Sequence, residues 1–189
     1  MKLQKIFIVL GPPGSGKGTQ SELLAKKLSA ARIVLGDLIR EFIKGASPEA
    51  VEAKKRYDQG IPQPDEVATM LLKQKLTDIR DSEVAVFDTY PLSMGEARDL
   101  TQIIVELGIS EYKVIFLNVP KEEVVKRITI RGQARTDDKP EIAAARYDEY
   151  DKRNAPIKEF YRSQGTLIEV NGDQAIEKVH EEIMQKLNV

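Results

Sequence analysis

The sequence predicts an α/β fold in which a five-stranded parallel sheet is covered by helices on both faces. Five short runs rich in β-branched residues alternate with longer amphipathic stretches of helical periodicity. The first of these runs, KIFIVL, is apolar almost throughout, which is typical of a parallel strand buried on both faces. With 189 residues, the chain suits one such domain rather than two independent cores.

The strands and helices follow from these patterns in chain order. The predicted strands are 5–10, 32–35, 84–87, 114–117 and 166–170. The predicted helices are 17–28, 37–44, 48–59, 65–79, 94–107, 122–130, 140–162 and 174–187.

Two segments interrupt the alternation of strand and helix. Residues 36–64 carry two helices with no strand between them, and residues 131–139 form a polar connection between two helices. We expect both segments to be excursions at one edge of the sheet, where loops are free to move.

The composition narrows the class of protein. Basic and acidic residues nearly balance, at 29 against 30, which gives no general attraction to nucleic acid or to an anionic membrane. The sequence contains no Cys, which excludes disulfides, thiolate metal sites and thiol nucleophiles. No run approaches the ~20 apolar residues of a membrane span. We therefore expect a cytoplasmic protein that has neither nucleic acid nor membrane as a partner.

The strongest motif lies between the first predicted strand and the first predicted helix, where residues 11–19 read GPPGSGKGT. Glycines let successive backbone N–H groups turn toward an anion, and the N-terminus of the following helix favours negative charge. This placement predicts a phosphate-binding loop in which Lys17 reaches the β and γ phosphates of a nucleotide. The strict pattern has Ser or Thr directly after the lysine as a ligand of Mg²⁺, whereas this chain has Gly18 and then Thr19.

The string GPPGSGKGTQ resembles the adenylate kinase and UMP/CMP kinase family of nucleoside monophosphate kinases, and the resemblance extends along essentially the whole chain. Further similar strings are GDLIR at 36–40, GIPQPDEV at 60–67, FDTYP at 87–91 and RITIRGQARTDD at 127–138.

The resemblance implies a P-loop NTPase-type fold and a transfer of phosphate from Mg²⁺-bound ATP to AMP, giving two ADP. It divides the single domain into a core (1–35, 65–130 and 140–189), an arm that binds the monophosphate (36–64) and a short lid (131–139). It also implies a monomer.

The resemblance assigns a complete set of residues to the ATP side. Arg127 is expected over the ATP base, and the loop at Gln174 is expected to touch adenine through its backbone. Arg127 and Arg131 are four residues apart on one predicted helix and therefore share a face. The expected ATP-binding residues are Gly14, Ser15, Gly16, Lys17, Gly18, Thr19, Arg127 and Gln174, and the expected catalytic residues are Lys17, Arg131, Arg135 and Arg146.

Asp88 is the expected metal residue. It ends a buried strand on the side where open α/β sheets bind ligands. Because no hydroxyl follows Lys17, Mg²⁺ is expected to keep most of its waters, and Asp88 would hold one of them. The alternative is that Asp88 caps a helix.

The acceptor side departs from the family pattern at five positions: Leu35 replaces Thr, Thr89 replaces Gly, Tyr90 replaces Phe, Leu92 replaces Arg and Glu96 replaces Gln. Arg40 remains as the clear cation for the monophosphate, and Lys44, Lys54 or Arg98 are candidates to compensate for the lost arginine. The expected acceptor residues are Leu35, Gly36, Arg40, Pro62, Gln63, Thr89, Tyr90, Glu96, Arg135 and Arg146.

Glu96 bears on which acceptor base fits. A carboxylate accepts hydrogen bonds but cannot donate them, so it suits an exocyclic amino group and disfavours the carbonyl edge of uracil or thymine. Three hypotheses follow: an AMP kinase, a kinase for CMP, UMP or another small acceptor, and a nucleotide-binding module with little turnover.

Overall fold

A computed structural model describes residues 2–79, 82–131 and 140–189. One parallel sheet is formed by five strands in the order β2-β3-β1-β4-β5. The strands are β1 (Lys5–Leu10), β2 (Ala31–Val34), β3 (Val84–Asp88), β4 (Glu111–Asn118) and β5 (Leu167–Asn171). The predicted α/β fold is therefore confirmed.

The helices cover both faces of this sheet, and each face has its own apolar cluster. They are α1 (Lys17–Lys27), α2 (Leu35–Phe42), α3 (Pro48–Asp58), α4 (Asp65–Asp78), α5 (Met94–Glu106), α6 (Lys121–Arg131), α7 (Pro140–Ser163) and α8 (Ile176–Leu187). Residues of α4, α5 and α7 join the cluster on one face, and residues of α1 and α8 join the cluster on the other.

β1 lies at the centre of the sheet and contributes to both clusters. Ile6 and Ile8 face the first cluster, Phe7 and Val9 face the second, and all four side chains are fully buried. Successive side chains of a strand point to opposite faces, so a strand between two helical layers has to be apolar at every position. This is why the run is continuous rather than alternating.

Several boundaries differ from the predictions by one to three residues, and three of these differences have a clear physical reason. Leu35 was expected to end a strand, but it begins α2 and packs its side chain into the core. β4 begins at Glu111 because its polar first residues pair with β1 at the half-exposed end of the sheet. The last helix begins at Ile176 rather than 174, and the side-chain amide of Gln174 instead donates to the backbone carbonyl of Asn171.

The sheet order places one crevice at the carboxyl end of β1. The chain moves from β1 to β2 and β3 on one side, and then to β4 and β5 on the other. In open α/β sheets this reversal opens a crevice outside the carboxyl ends of the strands, where ligands bind. The loop at 11–16 and the end of β3 at Asp88 both lie at this crevice.

Thr89, directly after β3, holds a backbone conformation that is unusual for its residue type. Its φ is +64°, in the left-handed region that a β-branched residue rarely occupies. The Thr89 hydroxyl donates to Asp88 Oδ1 at 2.9 Å. The next peptide bond, Tyr90–Pro91, is cis. The sequence departs from the family at this position, where the family has Gly. The left-handed backbone explains that Gly, because glycine adopts a positive φ without a steric penalty.

We expect Thr89→Gly to stabilise the protein. Removing a β-branched side chain from the left-handed region relieves roughly 1–2 kcal/mol. The lost hydroxyl contact and the freer unfolded chain cancel part of this gain. Urea unfolding should show a net gain of up to about 1 kcal/mol. Thr89→Ala is the matched control because it loses the hydroxyl and keeps the strain, and a Thr89→Gly protein less stable than this control would contradict the argument.

Candidate active site

The loop at 11–16 has the backbone geometry of an anion cradle. Gly14 and Gly16 have φ values of +78° and +90°, which glycine adopts without a Cβ penalty. Ser15 N donates to Pro12 O at 3.0 Å, which closes a turn, and Gly16 is the N-cap of α1. The loop therefore brings backbone N–H groups together with the positive end of a helix.

Two features inside the loop fit a bound phosphate. The Ser15 hydroxyl is buried and has no hydrogen-bond partner among the described residues, and buried polar atoms of this kind normally have one. A Cβ built on Gly14 would lie 3.0 Å from Ile128 Cγ1, so this side of the loop has no room for a larger residue. Lys17 Nζ lies 3.3 Å from Pro12 O, which places the ammonium group beside the loop.

Asp88 does not cap a helix, so that alternative is wrong. It is the last residue of β3, and the N-cap of the following helix α5 is Ser93, whose hydroxyl accepts from Glu96 N at 3.0 Å. The Asp88 side chain is largely buried and lies beside Gly18, where an added Cβ would be 3.5 Å from Asp88 Oδ2. Asp88 is thus placed beside the first turn of α1, as the metal prediction requires.

Arg32 on β2 is a charged residue at this site that the sequence reading missed. Its Nη2 donates to Asp88 Oδ2 at 2.6 Å, and its Nε donates to Ser21 Oγ at 3.1 Å. No motif marks Arg32 in the sequence. The only available signal was a basic residue inside an otherwise apolar strand that leads into the arm.

The two elements expected at the ATP base lie together. Arg127 Nη1 donates to Gly172 O at 3.0 Å, and Arg127 Nη2 lies 3.4 Å from Asp173 Oδ1. The guanidinium is also held by Glu123, whose Oε1 is 2.8 Å from Arg127 Nε, and this ion pair lowers the pKa of Glu123. Arg127 is therefore fixed against the loop that precedes α8, next to Gln174.

The other predicted cations of the ATP side are only partly described. Arg135 and the side chain of Arg131 lie outside the described residues. Arg146 is exposed on α7. One turn further along the same helix face, Tyr150 is buried, and this burial raises the pKa of its hydroxyl, with the backbone of Gly11 opposing the shift. α7 therefore packs close to the start of the phosphate loop.

On the acceptor side, Arg40 folds back over the first turn of α2. A Cβ on Gly36 would lie 3.3 Å from Arg40 Nη1, so Gly36 leaves room for the guanidinium. Arg40 forms an ion pair with Asp37, and hydrogen bonds to Asp37 and Tyr57 raise its pKa. Leu35 is buried in the core and can offer an acceptor only its backbone.

At the end of the arm, the segment before α4 is tied to α3 by two side chains, one from α3 and one from the segment itself. Arg56 Nη2 and Nε donate to Pro62 O at 2.8 and 3.0 Å. Gln63 Nε2 donates to Ala53 O at 2.9 Å, while Gln63 Oε1 is buried without a partner among the described residues.

Glu96 is a buried carboxylate under the turn that follows β3. It is 5% exposed, and its Oε2 accepts from Leu92 N at 2.6 Å. Burial raises the pKa of Glu96, and the nearby Asp65 raises it further, whereas the Leu92 hydrogen bond and the charge of Arg153 lower it. Tyr90 is fully buried in the core against Phe87, so only its backbone can reach a ligand.

The cations suggested as replacements for the missing arginine differ in their surroundings. Lys44 pairs with Glu41 at 2.6 Å and Lys54 pairs with Asp58 at 2.7 Å, both on exposed helix faces. Arg98 is exposed on α5. The structure adds Arg153 of α7, which the sequence reading did not single out and whose charge acts on Glu96.

Two further observations bear on the kind of site. Within 2–79, 82–131 and 140–189, no group of three or more His, Cys, Asp or Glu side chains is placed to hold a metal ion. None of the helices in these ranges is long and apolar enough to cross a membrane.

A cavity of about 610 Å³ opens between α7 and the carboxyl ends of β4 and β5. Pro12 lines it, but none of residues 14–19 does. The nucleotide is therefore not assigned to this cavity.

A glycine loop at a helix N-terminus, a lysine beside it and a carboxylate on the neighbouring strand define a P-loop phosphotransferase. The sequence model of the family described as adenylate kinase matches residues 9–166. An adenylate kinase of Leptospira biflexa is 32% identical over 185 residues, which cover 97% of this chain and all of that protein. An adenylate kinase of a Synechococcus species is 37% identical over 184 residues, covering 96% of this chain and 95% of that protein.

An adenylate kinase of Encephalitozoon cuniculi is 35% identical over 187 residues, covering 99% of each chain. The chain belongs to the adenylate kinase family. The predicted P-loop NTPase-type fold, the phosphotransferase class and the nucleoside monophosphate kinase function are thereby confirmed. Neither alternative is favoured, whether a kinase for CMP, UMP or another small acceptor or a nucleotide-binding module with little turnover.

We expect Lys17→Met to abolish phosphoryl transfer while the fold is kept. Loss of one preorganised positive group at the phosphates typically lowers kcat by about a hundredfold to a thousandfold. The measurement is ADP formation, with circular dichroism and the melting temperature as checks on folding. Lys26→Met, at the other end of α1, is the matched control. Near-normal turnover in Lys17→Met would remove the loop lysine from the mechanism.

We expect Glu96→Gln to stabilise the protein at neutral pH. The folded state raises the pKa of Glu96, so the ionised carboxylate costs the folded state free energy. The protonated Glu96 side chain contributes to the free energy of unfolding. This contribution is fully present below the ordinary pKa of a glutamate and is lost as the pH rises through the raised pKa of the folded state. A glutamine still accepts from Leu92 N and carries no charge.

The gain from Glu96→Gln should be measured by urea unfolding between pH 4 and 8, and it should shrink toward pH 4. Glu106→Gln is a control of opposite sign, because hydrogen bonds from Lys73 and Gln102 lower the pKa of Glu106. That variant should lose stability at pH 7, and its deficit should fade in acid. A gain for Glu96→Gln that is independent of pH would refute the electrostatic explanation.

Proposed function

We propose that this chain transfers the γ-phosphoryl group of Mg²⁺-bound ATP to AMP, giving two ADP, through the loop at 11–19. The observation that carries the proposal is the orphan Ser15 hydroxyl within a cradle of N–H groups, with Lys17 and Asp88 beside it. Family membership supplies the acceptor class.

In this proposal the residues of the ATP side fix the position of the donor nucleotide. The N–H groups of the loop and Lys17 bind the β and γ phosphate oxygens, and Arg127 with the loop at Gln174 holds the base. Asp88 would accept a hydrogen bond from a water of the Mg²⁺ that arrives with ATP, and this ion would supply positive charge to the phosphate oxygens.

Transfer joins an oxygen of the AMP phosphate to the γ phosphorus while the bond from that phosphorus to the ADP oxygen breaks. The acceptor oxygen is already anionic, so no general base is required. The work of the protein is therefore alignment and neutralisation of charge. We assign the neutralising roles to Lys17, Arg131, Arg135 and Arg146. Closure of the arm (36–64) and the lid (131–139) would exclude water and prevent ATP hydrolysis.

The acceptor phosphate is assigned to Arg40, with Arg153 as a second cation. Arg40 belongs to the last turn of α2 and is exposed, and its ion pair with Asp37 is weak enough in water to be exchanged for a phosphate. The charge of Arg153 acts on Glu96, whose carboxylate accepts from Leu92 N, and this is the reason for proposing Arg153 as the second cation. Leu92, which stands where the family has Arg, is the reason to include other monophosphates in the test of the acceptor.

The expectations of a monomer, of a cytoplasmic location and of neither nucleic acid nor membrane as a partner stay predictions. They follow from the balanced charge of the chain and from its family.

The test of the acceptor is ADP formation in a coupled assay with Mg²⁺ and ATP across AMP, CMP, UMP, GMP and dTMP, beside ATP alone. We expect the fastest turnover with AMP and almost none without an acceptor. Preference for another monophosphate would reassign the substrate. No turnover with any of the five, despite ATP binding, would refute the kinase proposal.

Leu92→Arg should lower the KM for AMP. An added bidentate cation at a phosphate contributes about 2 kcal/mol or more, which corresponds to roughly thirtyfold in affinity. Leu92→Met is the matched control because it conserves volume without adding charge. An unchanged or higher KM in Leu92→Arg would mean that the acceptor phosphate binds elsewhere.

A further inference from the structure

Arg32 is a residue of the edge strand β2 whose side chain reaches the first turn of α1 and the end of β3. Its Nη2 is 2.6 Å from Asp88 Oδ2 and 3.4 Å from Gly18 O, and its Nε is 3.1 Å from Ser21 Oγ. The Arg32 side chain is 33% exposed and that of Asp88 is 9% exposed. The pair is therefore mostly shielded from water, although Arg32 keeps contact with the solvent.

The position of β2 does not depend on this side chain. All four residues of the strand pair with β3, from Ala31 opposite Ala85 to Val34 opposite Asp88. The backbone ladder holds the strand, and the guanidinium contacts come in addition to it.

The ion pair uses the carboxylate that the proposed function gives to the metal. Arg32 occupies Asp88 Oδ2, and the Thr89 hydroxyl donates to Asp88 Oδ1. Both oxygens thus have a donor, and the charge of the carboxylate is balanced by the guanidinium.

The guanidinium also lies near the place of the missing metal ligand. A strict phosphate loop has a hydroxyl residue where this chain has Gly18. A Cβ built on Gly18 would be 3.5 Å from Asp88 Oδ2 and 4.0 Å from Arg32 Nη2. A fixed positive charge therefore stands where other phosphate loops offer an oxygen to Mg²⁺.

We infer that Arg32 is a resident cation that competes with Mg²⁺ for Asp88 and so weakens the metal's contribution to ATP binding. The inference rests on the proposed function, because it takes Asp88 as the carboxylate that faces the Mg²⁺ of bound ATP. Two cations at one carboxylate repel each other. The coupling is reciprocal, so bound Mg²⁺ loosens the ion pair as much as the ion pair weakens the metal. Arg32 acts through Asp88 and is a positioning residue.

The experiment compares the affinity of the β,γ-imido analogue of ATP in excess Mg²⁺ and in EDTA, by calorimetry. The ratio of the two dissociation constants measures the metal's contribution. We expect Arg32→Gln to increase this ratio roughly tenfold, because Asp88 is then free to bind a metal water. Arg32→Lys keeps the charge and should leave the ratio within about twofold of wild type. Arg162→Gln, which breaks an ion pair with Glu169 at 2.6 Å, controls for the loss of a salt bridge elsewhere.

An unchanged or smaller ratio in Arg32→Gln overturns the inference. A mere loosening of the phosphate loop would weaken binding equally with and without Mg²⁺ and would leave the ratio unchanged. If Arg32→Gln fails to fold, the inference is tested on the wild-type protein through the NMR signal of the Arg32 Nε–H group. The signal is assigned by its absence from the spectrum of Arg32→Lys. Adding Mg²⁺ to the analogue complex should shift this signal, and a signal that does not move overturns the inference.

The outcomes separate this inference from the proposed function. A wild-type protein that forms ADP from ATP and AMP, with no change of ratio in Arg32→Gln, refutes the inference alone. A wild-type protein that forms no ADP, with the ratio still raised in Arg32→Gln, refutes the proposed reaction and supports the role of Arg32.

Discussion

The burial of β1 on both faces is the constraint on which the rest of the structure depends. A strand with apolar side chains on both sides needs two helical layers and two neighbouring strands, and here β3 and β4 supply the neighbours. The chain then leaves the central strand at its carboxyl end, at the point where the strand order reverses. The glycine loop stands at that exit, and the last residue of β3 stands beside it. The position of the site is therefore a consequence of how the core is built.

The charges at this crevice are arranged in pairs before any substrate arrives. Asp88 is balanced by Arg32, Arg40 by Asp37, and Arg127 by Glu123. Pairing keeps the cations from repelling one another, and it keeps long side chains close to the geometry in which they would meet phosphate. The exposed pairs are weak in water, so a phosphate can replace the carboxylate partner at low cost. Glu96 differs from these groups because it is buried and its main partner is a backbone N–H.

The sequence predicted most of the fold because the signals for it are local. The phosphate loop was found because its glycines, its lysine and the flanking strand and helix are consecutive. Asp88 was predicted, but its ion pair with Arg32 was not, because 56 positions separate the two residues and they meet only when β2 pairs with β3. The influence of Arg153 on Glu96 likewise depends on α7 packing near α5, which no periodicity in either helix reveals. The departure at Thr89 was visible in the sequence, but its left-handed backbone was not.

The order of the sheet also affects how the protein avoids unwanted association. β2 and β5 are the edge strands, and an edge presents unpaired backbone groups to which another chain could add a strand. β2 has four residues and carries Arg32, while β5 has five and carries Glu169, which Lys158 and Arg162 hold at 2.7 and 2.6 Å. Short strands that carry fixed charges are poor templates for aggregation. The side chain of Arg32 therefore has a second effect besides its ion pair with Asp88: its charge on the edge strand β2 disfavours pairing with a strand of another chain.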